Sequence, residues 1–304
     1  MSNNTPPGRT ALRAVMLAAG LIAAGLSLAA HADPPRTVYF PSADGRTELV
    51  GYLFEPSGAA RHSAIVLLHG RAGPYSSNVS HDCTQVGRGV RSPCSAQTLS
   101  KRHQMWGEYW VEHGYVVLLV DSFGPRGRGH GYGRDTHADP DRDAVNERTV
   151  RPLDAEGALA YLRQRNDVRP DRIMLQGWSN GASTTLNVME RQAQAGPDPR
   201  NPRFRAALAF YPGCGPAAIL SKPYHADTDL WVFLGSDDEE VSPKTCAEML
   251  HAATTSHGRI EMTLYDGATH DFDDPGKGRQ SIAANRTAMN DALRRSATLF
   301  GNLP

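Results

Sequence analysis

The stretch RIMLQGWSNGAS, residues 172–183, decides how the fold is interpreted, because it joins an apolar run to a serine between two glycines. Ser179 has Gly177 two residues before it and Gly181 two residues after it. Glycine and serine are common in turns, so a surface turn with a chance pattern is one interpretation. In the other, the small neighbours let a strand turn sharply into a helix and present Ser179 as a nucleophile. The surrounding sequence favours the second interpretation.

Short apolar runs of strand length recur along the chain, and most of them lead into a segment with a helical pattern. Continuous apolar strands that alternate with helices are typical of a mostly parallel sheet covered on both faces. Ahead of them, Asp44-Gly45 separates two alternating apolar runs, which predicts an N-terminal antiparallel hairpin. We therefore expect a doubly wound α/β fold. The runs that carry the later strands lie within 64–70, 116–124, 172–181, 205–213, 230–238 and 260–270.

The first 32 residues predict a secretory signal peptide. Arg9 and Arg13 precede an apolar stretch that ends in the small-x-small site AHA at 30–32. A membrane anchor is the alternative, but about 17 residues rich in alanine and glycine are marginal for spanning a bilayer. We expect cleavage after Ala32, export to the periplasm or the medium, no stable membrane insertion after cleavage, and a single domain over 33–304.

Four cysteines remain after the predicted cleavage site, and an even number in an exported protein indicates two disulfides with three possible connectivities. Cys83 and Cys94 close a short polar loop. Cys214 and Cys246 follow two successive predicted strands and should lie at the same end of the sheet. We favour the pairs 83–94 and 214–246. Close Cys/His pairs with the spacing of zinc ligands are missing from the sequence, so no metal is expected.

Three reactive residues follow predicted strands, in the order Ser179, Asp238, His270. Ligands of such sheets bind at the carboxyl ends of strands, and α/β-hydrolases carry their triad in this chain order. A serine hydroxyl needs an adjacent base, and the base needs a carboxylate that orients it. His69 is the competing base, although its place after the first buried strand better suits an oxyanion loop. Asp237 is the competing acid, and the other acidic residues of GSDDEEVSP are expected to be solvated.

The expected oxyanion hole consists of two backbone N–H groups. One belongs to Asn180, the residue after the predicted nucleophile, and the other to Arg71, in the loop after LLHG. Gly70 and Gly73 make that loop conformable. A plain turn is the alternative interpretation of HGRAG.

Two long polar segments are candidates for the substrate pocket. The loop over residues 122–152, about thirty residues, is long enough to act as a lid or binding loop. In it, Arg126, with Arg128 as the alternative, is expected to hold a substrate carboxylate through a bidentate contact; a solvated charged loop is the competing interpretation. Trp178, beside the predicted nucleophile, is a second candidate substrate contact. The insert over 74–97 is expected to form the opposite rim.

Six motifs, in the same order along the chain, resemble those of the dienelactone hydrolase family of α/β-hydrolases. They are LLHGRAG, VDSFGPRG, GWSNGA, YPGCG, LGSDDEEVSP and GATHDF. The resemblance covers most of the chain after residue 32 and implies a single-domain hydrolase without a cofactor. It also supports Asp238, because the family's acid lies a few residues before a Val/Pro pair. Founding members carry a cysteine nucleophile held by a glutamate of the oxyanion loop, whereas Ser179 and the sequence HGR at 69–71 occupy those places here.

The expected function is therefore cleavage of a small-molecule carboxylic ester or lactone by a monomeric serine hydrolase, through an acyl-enzyme. A peptidase or amidase of the same fold is one alternative, and a non-catalytic binding protein that retains the fold is another. The formal net charge is +0, so neither a nucleic acid nor an anionic membrane is an expected partner.

Overall fold

Among the residues that the computed structural model describes (1–3, 34–134, 136, 140–198 and 202–303), eight strands form one sheet. The strands are β1 (Arg36–Pro41), β2 (Glu48–Phe54), β3 (His62–Leu68), β4 (Val116–Asp121), β5 (Val168–Trp178), β6 (Ala206–Phe210), β7 (Asp229–Gly235) and β8 (Ile260–Tyr265). Their order across the sheet is β1-β2-β4-β3-β5-β6-β7-β8. From β4 through β8 every neighbouring pair is parallel, which confirms the predicted sheet.

The predicted N-terminal hairpin is confirmed. Strands β1 and β2 pair in antiparallel register, with Phe40 opposite Leu49, and β2 also pairs antiparallel with β4. The Asp44 carboxylate closes the turn by accepting hydrogen bonds from the backbone N–H groups of Arg46 and Thr47, at 2.7 and 2.9 Å. Side-chain bonds of this kind are the physical reason that aspartate favours turns.

Helices cover both faces of the sheet. They are α1 (Lys101–Glu112), α2 (Pro140–Asp143), α3 (Arg151–Arg163), α4 (Asn180–Ala195), α5 (Pro243–His251), α6 (Lys277–Gln280) and α7 (Ala283–Gly301). Successive strand residues point to opposite faces. On β5, Gln176 accepts a hydrogen bond from the indole of Trp110 on α1, at 2.9 Å. A Cβ on the next residue, Gly177, would instead meet Thr185 on α4. Helices α1 and α4 therefore lie on opposite faces, as expected for a doubly wound fold.

Strands β4 and β6 are buried at every residue, which explains their continuous apolar sequences. A separate pair of two-residue strands, His225–Ala226 and Thr254–Thr255, was not expected from the sequence. No helix in the described ranges has both the length and the apolar character needed to cross a bilayer.

By its internal contacts the chain divides into Met1–Asp33 and Pro34–Pro304, and every element named above belongs to the second unit. Residues 4–33, which hold most of the predicted signal peptide and its cleavage site, lie outside the described residues. Cleavage after Ala32 stays a prediction.

Candidate active site

Ser179 occupies a sharp turn between β5 and α4. Its backbone angles, φ 51° and ψ −116°, are unusual for a residue with a side chain, and its N–H donates to the carbonyl of Phe210 at 2.9 Å. A Cβ on Gly177 would lie 2.2 Å from the carbonyl oxygen of Gly181, and one on Gly181 would lie 2.1 Å from that of Leu68. The two glycines are therefore a steric requirement of this turn, as the second interpretation of the sequence supposed.

The structure brings Ser179, His270 and Asp238 together in one hydrogen-bonded chain. Ser179 Oγ lies 3.0 Å from His270 Nε2, and His270 Nδ1 lies 2.8 and 3.0 Å from the two carboxylate oxygens of Asp238. Because a carboxylate only accepts, Nδ1 carries the proton and Nε2 is left free to accept from the serine hydroxyl. The backbone N–H groups of Glu240 and Val241 fix the carboxylate by donating to Asp238 Oδ1, at 2.9 and 2.8 Å.

Helix α1 holds the loop that carries His270. Arg102 on this helix forms an ion pair with Asp271 at 2.7 Å, and Trp106 donates from its indole to Asp273 Oδ2 at 2.7 Å. Asp271 has a positive φ of 58°. Burial raises the pKa of Asp271, but the charges of Arg102, His270 and Arg279 together outweigh it and hold that pKa at about 2. These anchors are remote in sequence from the loop they hold, and no sequence pattern indicated them.

Glu240 was expected to be solvated, and the structure corrects this. Its side chain is 12% exposed and accepts two bonds from Arg71 Nη2, at 3.0 and 3.1 Å. Burial raises the pKa of Glu240, but the hydrogen bond from Arg71 and the charges of His270, Arg71 and Arg134 together outweigh it, so the pKa is lowered and the group is charged at neutral pH. Glu240 Oε2 also lies 3.8 Å from His270 Nε2, on the side that faces Ser179.

The pKa of His270 is raised above its ordinary value of 6.5. Burial opposes protonation, but the hydrogen bond to Asp238 and the charges of Asp271, Asp238 and Glu240 outweigh it. A base whose pKa is raised remains protonated, and so inactive, to a higher pH. We expect the acidic limb of the kcat/KM profile to lie above pH 6.5 and to move to lower pH in Glu240→Gln, which removes one of these charges.

Initial rates for p-nitrophenyl acetate across the acidic range measure this shift. The matched control is Asp237→Asn, because the Asp237 carboxylate is exposed and pairs with the hydroxyl of Ser236 at 2.9 Å. A limb that stays in place or moves to higher pH in Glu240→Gln would contradict the assigned cause.

The two predicted oxyanion donors lie on the segments next to Ser179. In the described part of the chain, neither the backbone N–H of Asn180 nor that of Arg71 has an acceptor. Asn180 begins α4, where the first N–H groups of a helix lack internal partners. A Cβ on Gly70 would lie 3.5 Å from Ser179 Cβ, so the loop after β3 passes directly beside the serine.

His69, the competing base, contacts the segment that follows β4, and none of its hydrogen bonds in the described residues reaches the serine hydroxyl. It is fully buried, its ring centroid lies 4.6 Å from that of Phe123, and its Nε2 accepts from the backbone N–H of Ser122 at 3.3 Å. Burial and the charge of Arg151 lower its pKa well below the ordinary range, although the hydrogen bond with the Gly70 carbonyl opposes the shift. His69 is therefore a neutral structural residue.

A cavity of about 580 Å³ opens at Ser179. The long loop predicted to bind substrate does contribute to it, through Arg134, Arg142 and Glu147. The opposite wall comes from the segment after β6, including Gly213 and Cys214, and from the acidic loop after β7. The insert over 74–97 contributes no residue to this cavity among those described, so its prediction as the opposite rim was wrong.

Neither residue expected to touch substrate lines this cavity. The guanidinium of Arg126 is held by both carboxylate oxygens of Asp154, at 2.8 and 2.9 Å, and is not available for a ligand. Trp178 is fully buried and donates from its indole to Asp273 at 2.7 Å. Its neighbour Ser179 faces the cavity only because the chain turns after Trp178. Arg128, the alternative, is exposed and forms an ion pair with Asp141.

Both favoured cysteine pairs are disulfides in the structure, with Cα separations of 5.5 Å for Cys83–Cys94 and 5.0 Å for Cys214–Cys246. Cys214 lines the cavity, and Cys246 lies on α5, whose N-cap Ser242 directly follows the acidic loop. The second bridge thus joins the cavity wall to the helix after Asp238.

We expect dithiothreitol to lower activity before it unfolds the protein. Reduction of Cys214–Cys246 opens a loop of 32 residues. By the chain-entropy estimate, closing this loop adds about 3–4 kcal/mol to the free energy of unfolding. Paired Cys→Ser variants at each bridge separate the two effects, with activity and near-ultraviolet circular dichroism measured together. Loss of activity confined to the 83–94 variant would contradict this expectation.

The model of the dienelactone hydrolase family matches residues 99–303 of the chain. A thermophilic esterase from the Planctomycetes species Thermogutta terrifontis, solved with propionate bound, is 19% identical with a TM-score of 0.59, covering 88% of this chain and 96% of that chain. A putative dienelactone hydrolase from Klebsiella pneumoniae is 13% identical with a TM-score of 0.60, covering 88% and 99%. A dienelactone hydrolase-like promiscuous phosphotriesterase from metagenomic libraries is 16% identical with a TM-score of 0.60, covering 88% and 97%. These structures share the predicted α/β-hydrolase fold.

Proposed function

Because the chain belongs to the dienelactone hydrolase family, we propose that it is a serine hydrolase that cleaves a carboxylic ester or a lactone. The observation that carries the proposal is the hydrogen-bonded chain from Asp238 through His270 to Ser179 at the mouth of a cavity. A non-catalytic binding protein would have no need of a strained serine with an oriented base beside it.

The reaction begins when Ser179 Oγ attacks the carbonyl carbon of the substrate and its proton passes to His270 Nε2. The carbonyl oxygen becomes an oxyanion, which accepts hydrogen bonds from the backbone N–H groups of Asn180 and Arg71. The bond to the alcohol oxygen then breaks, and that oxygen takes the proton from Nε2, leaving an acyl ester on Ser179.

Water completes the cycle. His270 Nε2 takes a proton from a water molecule, whose oxygen attacks the acyl carbon and gives a second tetrahedral intermediate. When this collapses, Ser179 Oγ leaves and recovers the proton, and the carboxylic acid product is released. Asp238 orients the imidazole throughout and stabilises the imidazolium that forms twice per turnover.

A panel of p-nitrophenyl esters, lactones and aminoacyl arylamides tests the proposal, with Ser179→Ala as the matched control for each substrate. We expect hydrolysis of esters or lactones that depends on Ser179. Turnover of the arylamides alone would replace this proposal with the peptidase alternative. No turnover of any class would favour a binding protein.

We further propose that the protein is exported and that residues 1–32 are removed. Disulfides persist in oxidising compartments and are rare in the cytosol. The two disulfides of this chain therefore support the proposal. Mass spectrometry of the native protein should find an N-terminus at Asp33 and no free thiol. Four free thiols would contradict export.

A further inference from the structure

Arg151 is a fully buried arginine at the start of α3, behind the turn that carries Ser179. Its Nη2 donates to the carbonyl of His69 at 2.8 Å, and its Nη1 donates to Oδ1 of Asn180. The guanidinium carbon also lies 4.9 Å from the centre of the Phe123 ring. One side chain thus binds both segments that carry the proposed oxyanion donors.

In the described part of the chain, the charge of Arg151 is not paired with a carboxylate. Within the described residues, no carboxylate oxygen lies within 4.0 Å of its guanidinium nitrogens. The acidic groups whose charges act on it are bound elsewhere: Asp154 by Arg126, Glu147 by the amide of Asn180 at 2.7 Å, and Asp121 by the hydroxyl of Tyr75 at 2.7 Å. A buried cation with neutral acceptors is costly, so a purely structural role explains it poorly.

Arg151 nonetheless keeps its charge. Burial lowers its pKa to about 10, with the charges of Asp154 and Glu147 opposing that shift, so the guanidinium is protonated at neutral pH. In a site of low dielectric, such a charge acts strongly on nearby developing charge.

The orientation of the Asn180 amide fits this arrangement. Its Oδ1 faces the donor Arg151 and its Nδ2 donates to Glu147, so the side chain is held from both ends. The backbone N–H of the same residue is thereby fixed beside Ser179.

We propose that Arg151 is a positioning residue of the oxyanion hole, which holds the His69 and Asn180 segments in register and places a buried positive charge beside the developing oxyanion. The inference rests on the proposed function, because it assigns a second support to that same site. It predicts that Arg151 acts on the transition state and has little effect on the binding of substrate.

The test compares wild type, Arg151→Met, Arg151→Lys and the control Arg203→Met, using kcat and KM for p-nitrophenyl acetate. Arg203 likewise donates to two backbone carbonyls, those of Gln192 and Gly196 at 3.2 and 2.7 Å, at the far end of α4, and it also forms an ion pair with Asp227. A helix of 16 residues is about 24 Å long, so this control lies far from Ser179.

We expect kcat of Arg151→Met to fall by about 10²–10³-fold, the range seen when one oxyanion donor is lost, while KM changes by less than about threefold. Arg151→Lys should recover part of the loss, because an ammonium keeps the charge but lacks the fork that spans two acceptors. Arg203→Met should lower the melting temperature and leave kcat unchanged.

The affinity for a trifluoromethyl ketone is a second measurement, which substitution of a merely structural residue would leave unchanged. The ketone forms a tetrahedral adduct with an activated serine, and its affinity for Arg151→Met should fall by the same factor as kcat/KM. If Arg151→Met does not fold, Arg151→Lys takes its place, and its ketone affinity should fall by the same factor as its kcat/KM. Unchanged kcat in a folded variant, or an unchanged ketone affinity, would overturn the inference. A wild-type protein that neither hydrolyses the ester nor binds the ketone would instead overturn the proposed function itself.

Discussion

Replacing Ser179 with alanine is expected to lower kcat/KM for ester hydrolysis by about 10⁴-fold or more, and His270→Ala should be comparably inactive. Triad members act as a unit, so the loss of either the nucleophile or its base removes the covalent pathway. Folding should be preserved in Ser179→Ala, because the hydroxyl bonds only to His270 among the described residues.

Steady-state rates on p-nitrophenyl acetate, together with thermal melting, measure both expectations. Ser183→Ala is the matched control, since this serine lies one helical turn later and its hydroxyl bonds only to backbone groups among the described residues, those of Gly213 and the carbonyl of Ser179. We expect the control to keep most of the activity. Retention of even a tenth of wild-type activity by Ser179→Ala would rule out the mechanism.

Asp238→Asn is expected to cost roughly 10⁴-fold in kcat, whereas Asp237→Asn should change it little. The carboxylate of Asp238 accepts a hydrogen bond from the protonated Nδ1 of His270 at 2.8 Å. An amide in its place can stabilise the other imidazole tautomer, in which Nε2 carries the proton and cannot act as the base. Asp237 is exposed, and its carboxylate bonds to the hydroxyl of Ser236 and not to the imidazole in the described part of the chain.

The two variants differ by one position and by the same chemical change, which makes them closely matched. Their kcat values and the pH profile of each should be measured side by side. Equal and mild losses at both positions would mean that the orienting acid lies elsewhere, and Asp266 would be the next residue to replace.

Much of the fold was predictable because its determinants are local. Buried parallel strands have continuous apolar sequences, and the turn at Ser179 requires glycine at fixed offsets, since a Cβ at Gly177 or Gly181 would strike backbone atoms. The hairpin also depends on local chemistry, because Asp44 bonds to N–H groups two and three residues later.

The pocket was less predictable because its contacts are remote in sequence. Arg126 was a plausible ligand for a carboxylate, but Asp154, 28 residues later, occupies it. No pattern in the sequence indicated a role for Arg151, because its hydrogen-bond partners are 82 and 29 residues away. The burial of Trp178, in contrast, was predictable from the sequence. Strand alternation places it on the same face of β5 as Gln176, toward α1.

Labelling with a fluorophosphonate, followed by peptide mass spectrometry, tests the central claim that Ser179 is an activated nucleophile. Only a serine with a functioning base reacts readily with such a reagent. We predict one adduct, on the peptide that contains Ser179, absent from Ser179→Ala and formed far more slowly in His270→Ala. A folded wild-type protein that takes up no label, or that is labelled at another residue with Ser179 unmodified, would contradict the account.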